Sequence, residues 1–334
     1  MTSHIRRPLI ASLLLLCLAL RNAPAQTPGA LEQVDAVQQR HALEASTQFQ
    51  HQSGDTAPEI FPGESQDVGP QSVLKIKPRR QWVDATADSQ YFYSDNAFLA
   101  HDNPQRSGLL ASTVQIALAP TPYQLGSGLS APRLGFRQQW FNFFEYQSHS
   151  PSFDTADFNV QTIFIDERWQ HEQWFIGAGL DYTRLLTAST YDQFYSEFVP
   201  RWEAQRIVPL CPQSALAFSY EGFYHFTDAS GSLFLQPQNS FDDRLDQVIQ
   251  VSLNFNPCSH VVVQPYYRFK YTHFTSNVDR NDDLHSVGLG LYCFFNQRLS
   301  ARAFVNYDRR NSTDTLAEYR QFNAGGGLNF TLRF

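Results

Sequence analysis

A chain of 334 residues with 42% hydrophobic residues is long enough to bury a sizeable core, yet its mean hydropathy of −0.37 excludes a bundle of membrane helices. The formal net charge is −7, and lysine occurs only at Lys75, Lys77 and Lys270, so the chain offers little to nucleic-acid phosphates and no nucleic-acid partner is expected. Aromatics are abundant, with 28 Phe and 15 Tyr against a single Met. A transmembrane β-barrel needs only every second residue apolar, so it can span lipid while its average stays hydrophilic.

The chain opens with an export signal. Met1 to Arg7 is basic, Leu9 to Leu20 is apolar, and Ala23-Pro24-Ala25 is a small-x-small cleavage site before Gln26. Residues 1–25 therefore read as a cleavable signal peptide of a Gram-negative exported protein. Cys17 follows Leu16 rather than a small residue, which argues against a lipid anchor. Residues 26–80 are rich in Gln, Ser, Pro and Gly and read as a flexible periplasmic segment. Leu31, Val34, Val37, Gln38 and Leu43 line one weak helix face over about 30–46, so a short helix fits there. A plug or a helix threading a lumen is the alternative reading of the same segment.

From residue 81 to 334 strand-like segments follow one another: 82–94, 109–120, 133–146, 157–168, 174–187, 194–208, 215–227, 244–256, 261–274, 284–295, 299–310 and 319–334. The period of two is clear where Leu216, Phe218, Tyr220, Tyr224 and Phe226 oppose Ser219, Glu221 and His225. In the next segment but one, Val261, Val263, Tyr267, Phe269 and Tyr271 oppose Gln264, Arg268 and Lys270, with Pro265 suggesting a bulge. Ile163 and Ile165 fall out of phase with Phe158, Val160 and Phe164, which leaves the facing of that strand open. Short connections at 170–173, 209–214, 256–260 and 296–298, and a longer one at 121–132, alternate with longer loops at 95–108, 147–156, 188–193, 228–243, 275–283 and 311–318. That asymmetry predicts an all-β fold, a transmembrane antiparallel barrel of about 12 strands (10 to 14 fit the same pattern), with both chain ends in the periplasm.

The last stretch, Tyr319 to Phe334, alternates most strictly. Phe334, Leu332, Phe330 and Leu328 share one face, and Arg333, Thr331 and Asn329 the other. In a barrel the last strand pairs with the first, and an aromatic terminus sits at the membrane interface. Phe330, Leu332 and Phe334 also resemble the signal by which bacterial outer-membrane proteins reach their assembly machinery. Lipid, that machinery and small polar solutes are the expected partners, and the expected location is the bacterial outer membrane.

The opening of the first segment, Ser89 to Leu110, contains Asp95-Asn96-Ala97-Phe98 and then Asp102-Asn103-Pro104. A strand, this motif and a second strand resemble the start of a porin-like family of outer-membrane β-barrel proteins, some of them associated with exopolysaccharide export. The resemblance implies a barrel and a pore and brings no substrate with it. The same Asp and Asn residues also serve as turn formers, bonding their own backbone.

With the faces so assigned, the lumen receives Arg133, Arg137, Asp181, Glu197, Arg201, Glu221, His225, Asp246, Arg268, Lys270, Arg302 and Asp308 as pore-lining candidates. Cross-lumen arginine–carboxylate pairs are expected, and such pairs either fill a narrow interior or form a charged eyelet that selects solutes. Phe92, Phe141, Tyr266 and Tyr292 also point inward and could stack on sugar rings. Ser219, Glu221 and His225 lie along one strand and project in parallel, so they do not converge as a nucleophile and its base. No enzyme activity, cofactor or metal is expected, since no His or Cys spacing makes a site. The reading is a channel for small hydrophilic solutes, saccharides among them; the alternative is a non-conducting structural or secretion-associated barrel, with a surface barrel enzyme a third choice. Cys211, Cys258 and Cys293 allow one disulfide, Cys258–Cys293 being preferred because their strands adjoin, or none.

Overall fold

The computed structural model describes residues 26–52, 82–145, 156–228, 243–275 and 279–334. A helix, α1 (Gln26–Gln52), precedes β1 (Val83–Ser94), β2 (Ser107–Leu118), β3 (Tyr123–Leu125), β4 (Gly128–Glu145), β5 (Phe158–His171) and β6 (Trp174–Thr187). Then come β7 (Gln193–Cys211), β8 (Ser214–Asp228), β9 (Arg244–Cys258), β10 (Val261–Phe274), β11 (Asn281–Phe294), β12 (Leu299–Ser312) and β13 (Tyr319–Arg333). Each long strand pairs antiparallel with its neighbours in sequence, β2 pairs with β4, and β13 returns to β1. The ring is closed with twelve strands; β3 is a three-residue flap on the start of β4.

The C-terminal stretch makes the closure. Asp84 lies opposite Arg333, and the register runs unbroken to Ser94 opposite Asn323. Trp82 and Val83 both donate to the Phe334 carbonyl (2.6 and 3.2 Å), and the Phe334 amide donates to Val83 (2.9 Å). Closure leaves no unpaired strand edge, the condition for a sheet to sit in lipid. Gly325 matters at this seam. A Cβ there would stand 2.3 Å from the Phe92 Cβ, so only glycine lets the inward Phe92 sit where it does.

The outer wall is apolar. Val114, Ile116, Ile163, Ile165, Ile176, Leu180, Val287, Leu289 and Leu291 are all exposed on it. So much contiguous apolar surface is a liability in water and a requirement in a bilayer. The facing of β5 is thereby resolved: Ile163 and Ile165 point out, while Phe158, Val160 and Phe164 are buried inside.

The two rims differ. At one, two-residue turns join β5 to β6, β7 to β8 and β9 to β10, Glu172 adopting a left-handed φ of 51° in the first. At the other lie the longer connections, parts of which (146–155, 229–242 and 276–278) fall outside the described residues. These are called here the short-turn rim and the long-loop rim. Pro265 keeps its register with Leu289 on β11, and the slip on the β9 side falls between Val261 and Val263 rather than at the proline. The three cysteines are free. Cys258 and Cys293 flank Val261 from opposite sides, which puts two strand spacings, about 9–10 Å, between them, too far for a disulfide.

The helix is where sequence and structure part. In place of a loose segment with a short helix, residues 26–52 form one helix of 27 residues, about 40 Å long, lying inside the barrel. Its Gly29 abuts the backbone of Phe98 in the loop after β1, at the long-loop rim. Leu43 packs with Val262, Tyr292 and Phe294 near the short-turn rim. The start of α1 and the end of β13 thus lie at opposite rims, not at one. No strong amphipathic pattern announces such a helix, because its surroundings are themselves mixed, with apolar and charged wall residues meeting the same faces at different heights. Among the described residues no helix is long and apolar enough to cross a membrane. Residues 1–25 and 53–81, with the signal peptide and the linker read there, lie outside the described residues.

Candidate functional site: the lumen and its resident helix

The first half of α1 packs into an apolar cluster. Ala30, Leu31, Val34 and Val37 meet Phe92, Leu109, Phe141, Phe143, Phe158, Val160, Leu185 and Tyr195, all buried. These wall residues come from the long-loop halves of β1, β2 and β4–β7. The motif at Asp95–Phe98 shapes this end. Asp95 accepts from the Phe322 amide (2.7 Å), and Asn96 donates to the Ala100 and Arg320 carbonyls (2.9 and 3.0 Å). Turn chemistry thus folds the loop so that Ala97 joins the cluster and accepts from Gln33 Nε2 of α1 (3.2 Å).

Elsewhere α1 is held by charge. Lys270 bonds Asp35 (3.0 Å) and Glu32 (3.7 Å) of the helix and Asp246 of the wall (3.1 Å). Arg310 bridges Glu32 (3.2 Å) and wall Asp282 (3.3 Å). Arg302 bridges Glu44 (2.5 Å) and wall Asp88 (2.7 Å), and Ser300 also donates to Glu44. Arg40 is clamped between the Phe92 and Phe304 rings, its guanidinium 4.3 and 4.1 Å from their centroids, and donates to Gln90 Oε1 (3.0 Å). His41, Glu44 and Asp88 approach as three metal ligands would, but Arg302 already donates to both carboxylates and supplies the positive charge there.

Beside the helix a cavity of about 430 Å³ remains. It begins among Asp84, Ala117 and Arg333 at the short-turn rim and ends beneath the apolar cluster, near Thr183, Glu197 and His225. Its wall on β4–β7 is a ladder of alternating charge. Arg133 makes two bonds to Asp166 (2.9 and 3.0 Å), Arg201 bonds Asp166 and Asp181 (both 3.1 Å), and Arg168 bonds Glu203 (2.7 Å). Arg137 donates to Gln115 (3.1 Å) and lies 5.4 Å from the centre of the Phe164 ring. On β8, His225 lies between Glu197 (2.9 Å) and Asp246 (3.3 Å), with the Tyr195 hydroxyl donating to Glu197 (2.8 Å). Both ring nitrogens of His225 face carboxylates, not Ser219.

Of the twelve pore-lining candidates, Arg133, Arg137, Asp181, Glu197, Arg201, Glu221, His225, Asp246, Arg268 and Lys270 border this cavity. Asp308 borders a cleft of about 20 Å³ on the other flank of α1, and Arg302 is buried under the helix. Phe330 and Phe334 are exposed on the outer face beside the short-turn rim, and Leu332 is half-buried there. Phe92, Phe141 and Tyr292 are buried and Tyr266 is largely so, all inside. The residues missed from the sequence are those of the helix, Glu32, Asp35, Arg40, His41 and Glu44, with Asp282 and Arg310 on the wall that receives it, and Asp166 and Arg168 on the strand whose phase was open. The signal available was the inward apolar set on β1, β2 and β4–β7, which a water-filled pore would not need.

No family model and no curated protein matches the chain. Solved structures do. A crystal structure of an outer membrane channel from Pseudomonas putida F1 matches with a TM-score of 0.50 at 10% identity, covering 83% of this chain and all (100%) of that one. The chain folds as an outer-membrane β-barrel. More distant likenesses are the KdgM porin in complex with disordered oligogalacturonate (TM-score 0.40, 10% identity, 73% of this chain and 98% of that) and a bacterial polysaccharide outer membrane secretin (TM-score 0.42, 11% identity, 75% and 98%).

Proposed function

We propose that the protein is an outer-membrane channel that passes small hydrophilic solutes, saccharides among them, through the lumen that α1 now shares. The observation that carries this reading is the polar cavity beside the helix, bordered by arginines and carboxylates and reaching the short-turn rim. Alternating charges give a solute many exchangeable hydrogen-bond partners and no single deep well, the condition for passage rather than capture. Guanidinium groups suit the task because they stay charged and bond planar oxyanions and hydroxyls in pairs. In this reading the short-turn rim faces the periplasm, residues 1–25 are removed on export, and Phe330, Leu332 and Phe334 are read by the assembly machinery.

One observation favours a second reading, a barrel that is closed as built and serves a structural or secretion-associated role. The first half of α1 and its apolar cluster fill the long-loop half of the lumen. Single-channel recording of the refolded full chain in a planar bilayer separates the two. Stable ohmic steps support the channel, and their ion selectivity then reports on the charged ladder. Silence from protein whose heat-modifiable migration proves it folded leaves the closed barrel.

A further inference from the structure

The charges under α1 share a property that a permanently built-in helix does not require. Each wall cation that a helix carboxylate engages also holds a carboxylate of the barrel itself. Lys270 has Asp246 besides Glu32 and Asp35, Arg302 has Asp88 besides Glu44, and Arg310 has Asp282 besides Glu32. The converse holds too. Asp88, the wall acid that His41 approaches (3.3 Å), keeps Arg302. Arg40 rests on two neutral rings and an amide, and Asp308, the wall acid on the same cleft, also faces Arg268 of the wall. Among the polar bonds, Gln264 donates to Ser46 of the helix (3.3 Å) but also to Asn254 of the wall (2.7 Å). Removing one partner of a buried ion pair is normally prohibitive because it strands the other charge. Here withdrawal of α1 strands none of these wall charges, and the helix charges return to water.

We propose that α1 is a displaceable plug: it closes the long-loop half of the lumen at rest and leaves its seat to open the channel, the barrel remaining charge-paired without it. What holds the plug at rest is chiefly the apolar cluster around Val34 and Val37, whose wall residues water would otherwise wet. The proposal rests on the channel reading above for its electrical readout alone.

The test uses the chain from Gln26 to Phe334, which lacks Cys17, with Cys211, Cys258 and Cys293 replaced by Ser. A Cβ on Gly29 would stand 3.9 Å from the Phe98 Cα, which keeps the two Cα atoms within about 5.5 Å, inside the disulfide range, so Gly29→Cys with Phe98→Cys is the pair chosen to lock α1 in place. A third variant, Val37→Cys, puts a thiol at a position with no solvent exposure in the seated helix. It is probed with a charged, membrane-impermeant maleimide, alone and in combination with the lock. The expected result is labelling of Val37→Cys in the unlocked chain, slowed at least tenfold by the oxidised lock and restored by reductant, with conductance steps that follow the same pattern. Conductance steps that are present and unchanged by the lock, or no labelling of Val37→Cys in the unlocked chain while denatured protein labels fully, overturns the plug. Lock-dependent labelling without any conductance keeps the plug and removes the channel.

Discussion

On the wall of β4–β7, Arg133, Arg168 and Arg201 pair only with carboxylates of that wall, one or two strands away, and they do so beside an open cavity. On the wall of β10–β12, Lys270, Arg302 and Arg310 hold strand carboxylates and helix carboxylates together. The charges of both walls are therefore paired within the barrel, and only the second also pairs charges with the helix. The difference teaches that the helix was added to a lining already neutralised, so that lining and occupant can be perturbed separately.

The largest effect should come from Arg302, which is fully surrounded. Arg302→Ala leaves Asp88 and, while α1 is seated, Glu44 buried without their cation, and the cost of a broken buried pair is about 3–5 kcal/mol. Denaturant unfolding of the barrel in detergent should register it; a loss below about 1 kcal/mol would mean the covered wall is no tighter than the open one. Arg40→Ala comes next. It removes a cation between two rings out of water, worth about 2 kcal/mol, and should raise maleimide labelling of Val37→Cys by about 30-fold while leaving the cavity ladder untouched. The smallest effect belongs to the open wall. The Arg133 side chain is 38% exposed and Asp166 keeps Arg201, so Arg133→Ala should cost at most about 1 kcal/mol in the same unfolding assay. A cost equal to that of Arg302→Ala would erase the contrast between the walls.

Much of the barrel was legible because a period of two leaves little choice. Strands such as β8 and β13 turn one set to the outer wall and the other to the lumen, and the closing pair of β1 and β13 fits that pattern. The pattern blurs where the lumen is not wet. On β5 the inward Phe158, Val160 and Phe164 are apolar like the outward Ile163 and Ile165, so the alternation vanishes from the letters although the geometry keeps it. Phe158 and Val160 are inward and apolar because α1 packs on their cluster, while Phe164 lies beneath Arg133 and Arg137. The helix itself was the least legible part. Leu31, Val34, Val37 and Leu43 gave only a thin stripe, and Gln33, Arg40, His41 and Glu44 read as solvated until a polar wall appears to receive them. A helix inside a barrel takes its partners from chain positions far away, and no local window contains them.

The C-terminal end of α1 lies at the short-turn rim, and residues 53–82 connect it covalently to the start of β1 at that same rim. A chain of that length reaches at most about 100 Å, so a helix that has left its seat stays within that distance of it. Return is then a first-order event governed by effective concentration, which for tethers of this kind is of millimolar order, whatever the number of barrels in the membrane. Any solute that holds the seat open must therefore compete with a rival that dilution never removes.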